Sequence, residues 1–171
     1  MPFTPYHFGP GLLLKTVFQR HFSFTSFVAT NVVIDVETLY YLVTRQYPVH
    51  RQMHTFLGSI LTGLAVAGLL LLVFRWLASN DVARLWDSPS PWVQAEFNPV
   101  GVLAGGLVGG ASHTVLDSVM HRDLVPFGPV TDWNPFLGVI GLDALHLGCV
   151  IAGVVAIAVA GIQSMVAKQA G

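Results

Sequence analysis

Four stretches of this 171-residue chain are apolar over the length a helix needs to cross a bilayer, about 20 residues for a typical hydrocarbon core. Thr55 to Ala78 is the cleanest, with no charge before Arg75. Leu137 to Ala167 is interrupted only by Asp143 and His146 near its start. Pro99 to Met120 repeats glycine at every fourth position, as Gly101, Gly105 and Gly109 and again as Gly106 and Gly110. That spacing lets helix backbones approach closely in lipid. Phe24 to Val43 is the fourth, carrying Asn31, Asp35 and Glu37. A chain of this kind has to satisfy its backbone polar groups within the membrane, which helices do segment by segment. The expected fold is therefore all-α: a polytopic transmembrane bundle of four long spans plus a short N-terminal helix, forming a single membrane-embedded domain over residues 1–171.

Composition agrees. Charged residues are 10% of the chain and hydrophobic ones 53%, against roughly a quarter charged in a soluble domain. The formal net charge of -1 offers no basic field for nucleic acid. The first ten residues contain no basic segment followed by an apolar run, so no cleavable leader is expected. Pro2, Pro5 and Pro10 predict an irregular or extended start, and Gly11 to Phe22 a short interfacial, re-entrant or broken helix. Ser79 to Asn98, with Trp86, Pro89, Pro91 and Trp92, reads as an interfacial connection with an aromatic belt. His121 to Phe136, with three prolines, reads as a loop. Cys149 is the sole cysteine, so an internal disulfide and a thiolate metal cage are both excluded. It reads as a packing residue.

Against this background the ionisable residues stand out. Asp35, Glu37, His54, His113, Asp117, Asp143 and His146 interrupt or border the apolar stretches. Charge at membrane depth is costly, so such groups face a bundle interior or a wet cavity and mark function. In an up-down bundle the loops holding His50 and residues 121–136 fall on one side. Asp35, Glu37, His113, Asp117, Asp143 and His146 then gather at that end. His113 and Asp117 are four apart and share a helix face, which His121 continues. His50 and His54 are also four apart, after Pro48 as a helix start. Asp35 and Glu37 point apart, so one of them reaches a shared site, with Asn31 a turn earlier to support Asp35. Imidazoles and carboxylates together are ligands for Zn²⁺ or a similar divalent ion, and there are enough for one or two ions. Blander roles fit some of these residues. His121 reads as a solvated helix end and His21 as interfacial. His146 reads equally well as a helix–helix hydrogen-bond partner, and Glu37 as an arginine partner.

At Asp35, His50-Arg51-x-x-His54 and Ser112-His113-x-x-x-Asp117 the chain resembles a family of bacterial inner-membrane proteins described as membrane-bound, metal-dependent hydrolases, one of them LexA-regulated. That family is distantly similar to zinc-dependent phospholipase C and its nuclease relatives, helical phosphoesterases with three zinc ions. The order that matches is His7, Asp35, His50, then His113 with Asp117. The resemblance implies that Asp35 is a ligand and the general base, and that His113 and Asp117 are ligands, the aspartate bridging two ions. The chain departs from the soluble enzymes in three places. It shows no leader whose removal would free a ligating amine, Asp143-x-x-His146 runs in reverse order, and Asp123 stands where a histidine is usual. One or two ions are therefore expected rather than three.

The sequence thus predicts a membrane-embedded hydrolase in which metal-activated water attacks an ester, foremost a phosphoester of a lipid or lipid-linked substrate. The predicted ligands are His7, Asp35, His50, His54, His113 and Asp117, with Glu37, Asp143 and His146 as additional candidates. A small metal-ion or proton transporter is the alternative, and a non-catalytic scaffold a third. A relay needs polar groups along the whole membrane depth, whereas these cluster at one end. With a cytoplasmic N-terminus, Lys15, Arg20, Arg75, Arg84 and Lys168 lie inside against Arg45, Arg51 and Arg122 outside, a small bias toward a site on the outer face that shrinks if the N-terminal segment crosses and Lys15 drops from the count.

Overall fold

The computed structural model describes residues 5–78 and 90–170, and among them every regular element is helical. Six α-helices follow in chain order: α1 (Phe8–Phe18), α2 (Phe24–Val43), α3 (Phe56–Ala78), α4 (Pro91–Phe97), α5 (Pro99–Met120) and α6 (Leu142–Ala170). Four of them, α2, α3, α5 and α6, are long and apolar enough to cross a membrane. The 20 residues of α2 extend about 30 Å at 1.5 Å per residue, a full hydrocarbon thickness. The all-α bundle of four long spans and a short N-terminal helix is the architecture expected from the apolar pattern.

Several boundaries differ from expectation. Of the start expected to be irregular or extended, Pro2 lies outside the described residues, and from Pro5 onward the chain is helical. Pro5–His7 is a single 3-10 turn, and α1 runs straight through Pro10. Proline is tolerated there because the first turn of a helix has no intrahelical use for its N–H groups. The last span begins at Leu142 rather than Leu137, after a turn in which Gly138 takes the left-handed φ of 70°. His50 and His54 do not share an α-helix start. Residues 48–51 are irregular and Gln52–His54 is a 3-10 turn. The aromatic connection expected over 79–98 falls outside the described residues as far as 89, taking Trp86, Pro89 and Arg84 with it. Its remainder holds α4.

The glycines of α5 set the packing. Gly105 and Gly109 face α2, while Gly106 and Gly110 face Gly63 and Ser59 of α3. One helix therefore lies against two others at close approach. The α2 face turned toward α5 is polar: Ser26, Thr30, Asn31, Asp35 and Thr38 are all buried. At the end away from the histidines, α1 is pinned by Lys15, which is 1% exposed. Its ammonium donates to Glu96 Oε1 at 2.6 Å and to the carbonyls of Phe22 and Trp92. Lys15, a surface charge in the topology expected from the sequence, is a buried ion-pair partner. Glu96 also accepts from the Ser23 hydroxyl and the backbone N–H of Thr25, capping the start of α2. α6 packs mainly on α1, where Gly9 lies against the Cys149 carbonyl. The rest of α6 presents exposed aliphatic side chains such as Ile151, Val154 and Ile162, as lipid contact requires.

Candidate metal centre

The two connections at the other end of the bundle meet one another. Asp123 accepts from the backbone N–H groups of Val49 and His50, and the Phe56 N–H donates to the Pro126 carbonyl at 2.8 Å. This closes the end of the bundle over the polar residues of α2 and α5. Asp35, His54, His113 and Asp117 converge there, one ligand atom from each lying within 4.8 Å of the others, all four buried. A second group, His50, Asp117 and His121, meets the same criterion and shares Asp117 with the first.

Three of these histidines, His113, His54 and His50, are oriented by a partner on Nδ1. His113 Nδ1 donates to Asn31 Oδ1 at 3.0 Å, and the Asn31 amide is fixed because its Nδ2 donates to the Phe27 carbonyl. His54 Nδ1 donates to Glu37 Oε2 at 3.1 Å. His50 Nδ1 donates to Asp123 Oδ1 at 2.9 Å. An imidazole that donates from Nδ1 keeps its lone pair on Nε2, the arrangement of metal-ligating histidines with a carboxylate or amide behind them. The Nε2 atoms of His54 and His113 lie 3.7 Å and 3.3 Å from Asp117 Oδ2. The His113 Nε2 is 3.6 Å from Asp35 Oδ1. The Thr38 hydroxyl also faces His54 Nε2, at 3.2 Å.

His7 arrives from the N-terminal turn. It is buried, its ring stands edge-on to His113 with centroids 4.7 Å apart, and its Nε2 is 3.2 Å from Asp117 Oδ1 without hydrogen-bond alignment. Among the described residues, four buried atoms of this cluster lack a hydrogen-bond partner: both ring nitrogens of His7, His113 Nε2 and Asp117 Oδ1. Each such atom ordinarily costs about 1–3 kcal/mol. Two carboxylates, Asp35 and Asp117, are buried together, and among the described residues their charged neighbours are histidines, with no lysine or arginine. Lone pairs and negative charge that converge without a donor form the environment a divalent cation neutralises.

Burial disfavours the charged form of both outer histidines. Burial, then the neighbouring His54, hold His50 below the ordinary histidine range, against the pull of Asp123. Burial pushes His121 down to about 4, although Asp117 opposes it. The two rings stack with centroids 4.1 Å apart. They line a cleft of about 640 Å³ that opens between the end of α2 and the loop at Asp123. His121, expected as a solvated helix end, instead turns inward to join Asp117 and His50.

Other expectations are redistributed. Glu37 lies outside both groups and pairs with no arginine side chain among the described residues. It accepts from His54 Nδ1 and from the backbone N–H groups of Arg51 and Met53, binding the 3-10 turn to α2. Asn31 supports His113 rather than Asp35. Asp143 and His146 stand apart from both groups. Asp143 is exposed in the first turn of α6, where a carboxylate is favoured by the helix dipole. His146 stacks on Tyr6 with ring centroids 4.3 Å apart. His21 is exposed, as its interfacial reading required.

No curated protein and no solved structure matches the chain. One family model matches it over residues 1–169, almost its full length and all of the residues that build the site. The chain belongs to that family, DUF4184, a domain of unknown function.

Proposed function

We propose that this protein is a membrane-embedded, metal-dependent hydrolase. A divalent ion, zinc foremost, is held by Asp35, His54, His113 and Asp117, with His7 completing the set. A second ion is held by His50, His121 and the shared Asp117. The observation that carries the reading is the convergence of buried imidazole nitrogens and carboxylate oxygens, four of which have no hydrogen-bond partner among the described residues. The mixture of imidazole nitrogen and carboxylate oxygen, without thiolate, matches zinc and comparable borderline ions.

A bound ion of this kind supplies a Lewis acid that brings the ionisation of a water close to neutral pH and polarises an ester oxygen. The protein's own groups divide the remaining work. His113, His54 and His50 present Nε2, with their rings locked from behind. Asp117 spans both groups. Asp35, at 7% the most exposed of the four inner ligands, is the one that can meet an incoming water and take its proton. The proposed substrate is a phosphoester of a lipid or lipid-linked molecule. The site's placement within the ends of two apolar helices and its resemblance to inner-membrane hydrolases support that choice.

Metal analysis of the purified protein tests the assignment. The wild type is expected to carry at least one zinc-class ion per chain. His113→Ala and Asp117→Ala should each abolish it, while the half-buried His146, which stacks on Tyr6 outside both groups, serves as the control: His146→Ala keeps the wild-type stoichiometry. Unchanged metal content in both inner variants would remove the centre and with it the hydrolase.

A further inference from the structure

A second cleft of about 510 Å³ begins at Pro48, His50 and Asp123, three residues that also border the first. It runs in a different direction, past Arg51 and Val125 to Leu57 and Leu61 on the outer face of α3. Leu57 and Leu61 are 60% and 56% exposed. Because α3 is a membrane span that starts at Phe56, Leu61 lies about 7.5 Å along it from its end. The cleft is therefore polar where it meets the metal centre and apolar where it meets lipid.

Arg51 is the sole lysine or arginine lining either cleft. Its guanidinium lies 3.8 Å above the Tyr41 ring, and its Nε donates to the Pro48 carbonyl at 2.9 Å. Its terminal nitrogens have no partner among the described residues. The group is thus held flat and in place with part of its donor fork free, the form in which arginine takes an anionic phosphate. Its backbone N–H donates to Glu37, the same carboxylate that orients His54. Arg51 and that ligand are thereby fixed to one another. Asp123 is engaged by His50 and two backbone N–H groups, and Asp132 stands on the exposed rim where water screens it.

We propose that this cleft is the lateral doorway for a phosphate-bearing lipid of the surrounding bilayer. Arg51 binds the phosphate at the mouth of the metal centre, and the acyl chain lies along Leu57 and Leu61. The proposal rests on the hydrolase reading for the fate of the lipid, though not for its binding. A substrate dissolved in water has no use for a mouth that opens within the hydrocarbon.

The test uses the full-length protein as purified, in phosphatidylcholine nanodiscs doped with phosphatidylglycerol that carries a photoreactive group on one acyl chain. Equally labelled diacylglycerol serves as the uncharged comparison, and modified residues are mapped by mass spectrometry. Phosphatidylglycerol should concentrate its labels on residues 57–61 and 125–129, while diacylglycerol spreads over the lipid-facing belt. Arg51→Gln should lower the cleft labelling by about tenfold, the loss of one charge-assisted pair. Leu61→Trp, at an exposed position that fills the groove without disturbing the core, should do the same. Identical maps for the two lipids would overturn the doorway, as would insensitivity to both substitutions or competition by inorganic phosphate as strong as that by the lipid. Cleft labelling that persists in a zinc-loaded protein unable to cleave the lipid would retain the doorway and overturn only the hydrolase.

Discussion

At the scale of single residues the centre is defined less by its ligands than by what stands behind them. Asn31, Glu37 and Asp123 each accept from one histidine Nδ1 and leave Nε2 facing inward. Replacing such a partner usually lowers metal affinity 10–100-fold while the ligand stays in place. Asn31→Leu, Glu37→Gln and Asp123→Asn should therefore each weaken zinc by about that factor in chelator competition, with the ion still bound at saturation. Affinities equal to the wild type would show that the rings are oriented by packing alone. His113 with Asp117 was legible in the sequence because a four-residue step on a helix is a local geometry. The partners behind the rings were not, since they lie 82, 17 and 73 positions away. Asn31 illustrates the difficulty. Its neighbour along α2 is Asp35, but its amide reaches across to α5, and no period in the sequence encodes that choice.

At the scale of helices, the ligands come together only because α5 lies close to α2 and α3. A Cβ on Gly106 would collide with the Gly63 carbonyl, and the reverse is also true. Gly68, further along α3, has nothing within 4 Å of such an atom. Gly106→Ala should therefore cost about 1–3 kcal/mol, the usual penalty for overpacking. Gly68→Ala should stay within about 0.5 kcal/mol of the wild type, as surface changes do. Unfolding in detergent measures both. The first variant should also bind zinc more weakly, because separating α3 from α5 moves His54 away from His113. Equal stabilities would deny the close crossing. The glycine period was visible in the sequence, and so was its meaning as a contact face. What could not be read was that the two interleaved glycine rows serve two different partners. The start of α6 was also misplaced, because residues 137–141 are as apolar as a span yet are turned aside by Gly138 in a left-handed conformation.

At the scale of the whole molecule, polar groups are sorted to two ends with different duties. Lys15, Glu96 and Ser23 bind one another and the neighbouring backbone at one end. The other end concentrates unpartnered ligand atoms and both clefts. The α1 helix links them, since it starts beside the centre at His7 and stops at the opposite cap, so the N-terminal turn delivers a ligand without adding a fifth long span. This arrangement makes a topological demand. The loop after α2 and the loop after α5 must face the same compartment, and the turn between α1 and α2 the other. Single cysteines placed on a Cys149→Ala background test it in sealed vesicles with a membrane-impermeant maleimide. Tyr47→Cys and Val130→Cys, at positions 73% and 90% exposed, should label from one side, and Arg20→Cys from the opposite side. If Tyr47→Cys and Val130→Cys labelled from opposite sides, α2 and α5 could not both bring their carboxylates to one end. His50 would then be separated from Asp117, and no shared cation could join them. The same experiment run on right-side-out and inverted vesicles identifies the compartment that the site faces. The outer-face expectation drawn from the loop charges loses Lys15 to its buried pair with Glu96, and the labelling decides it directly.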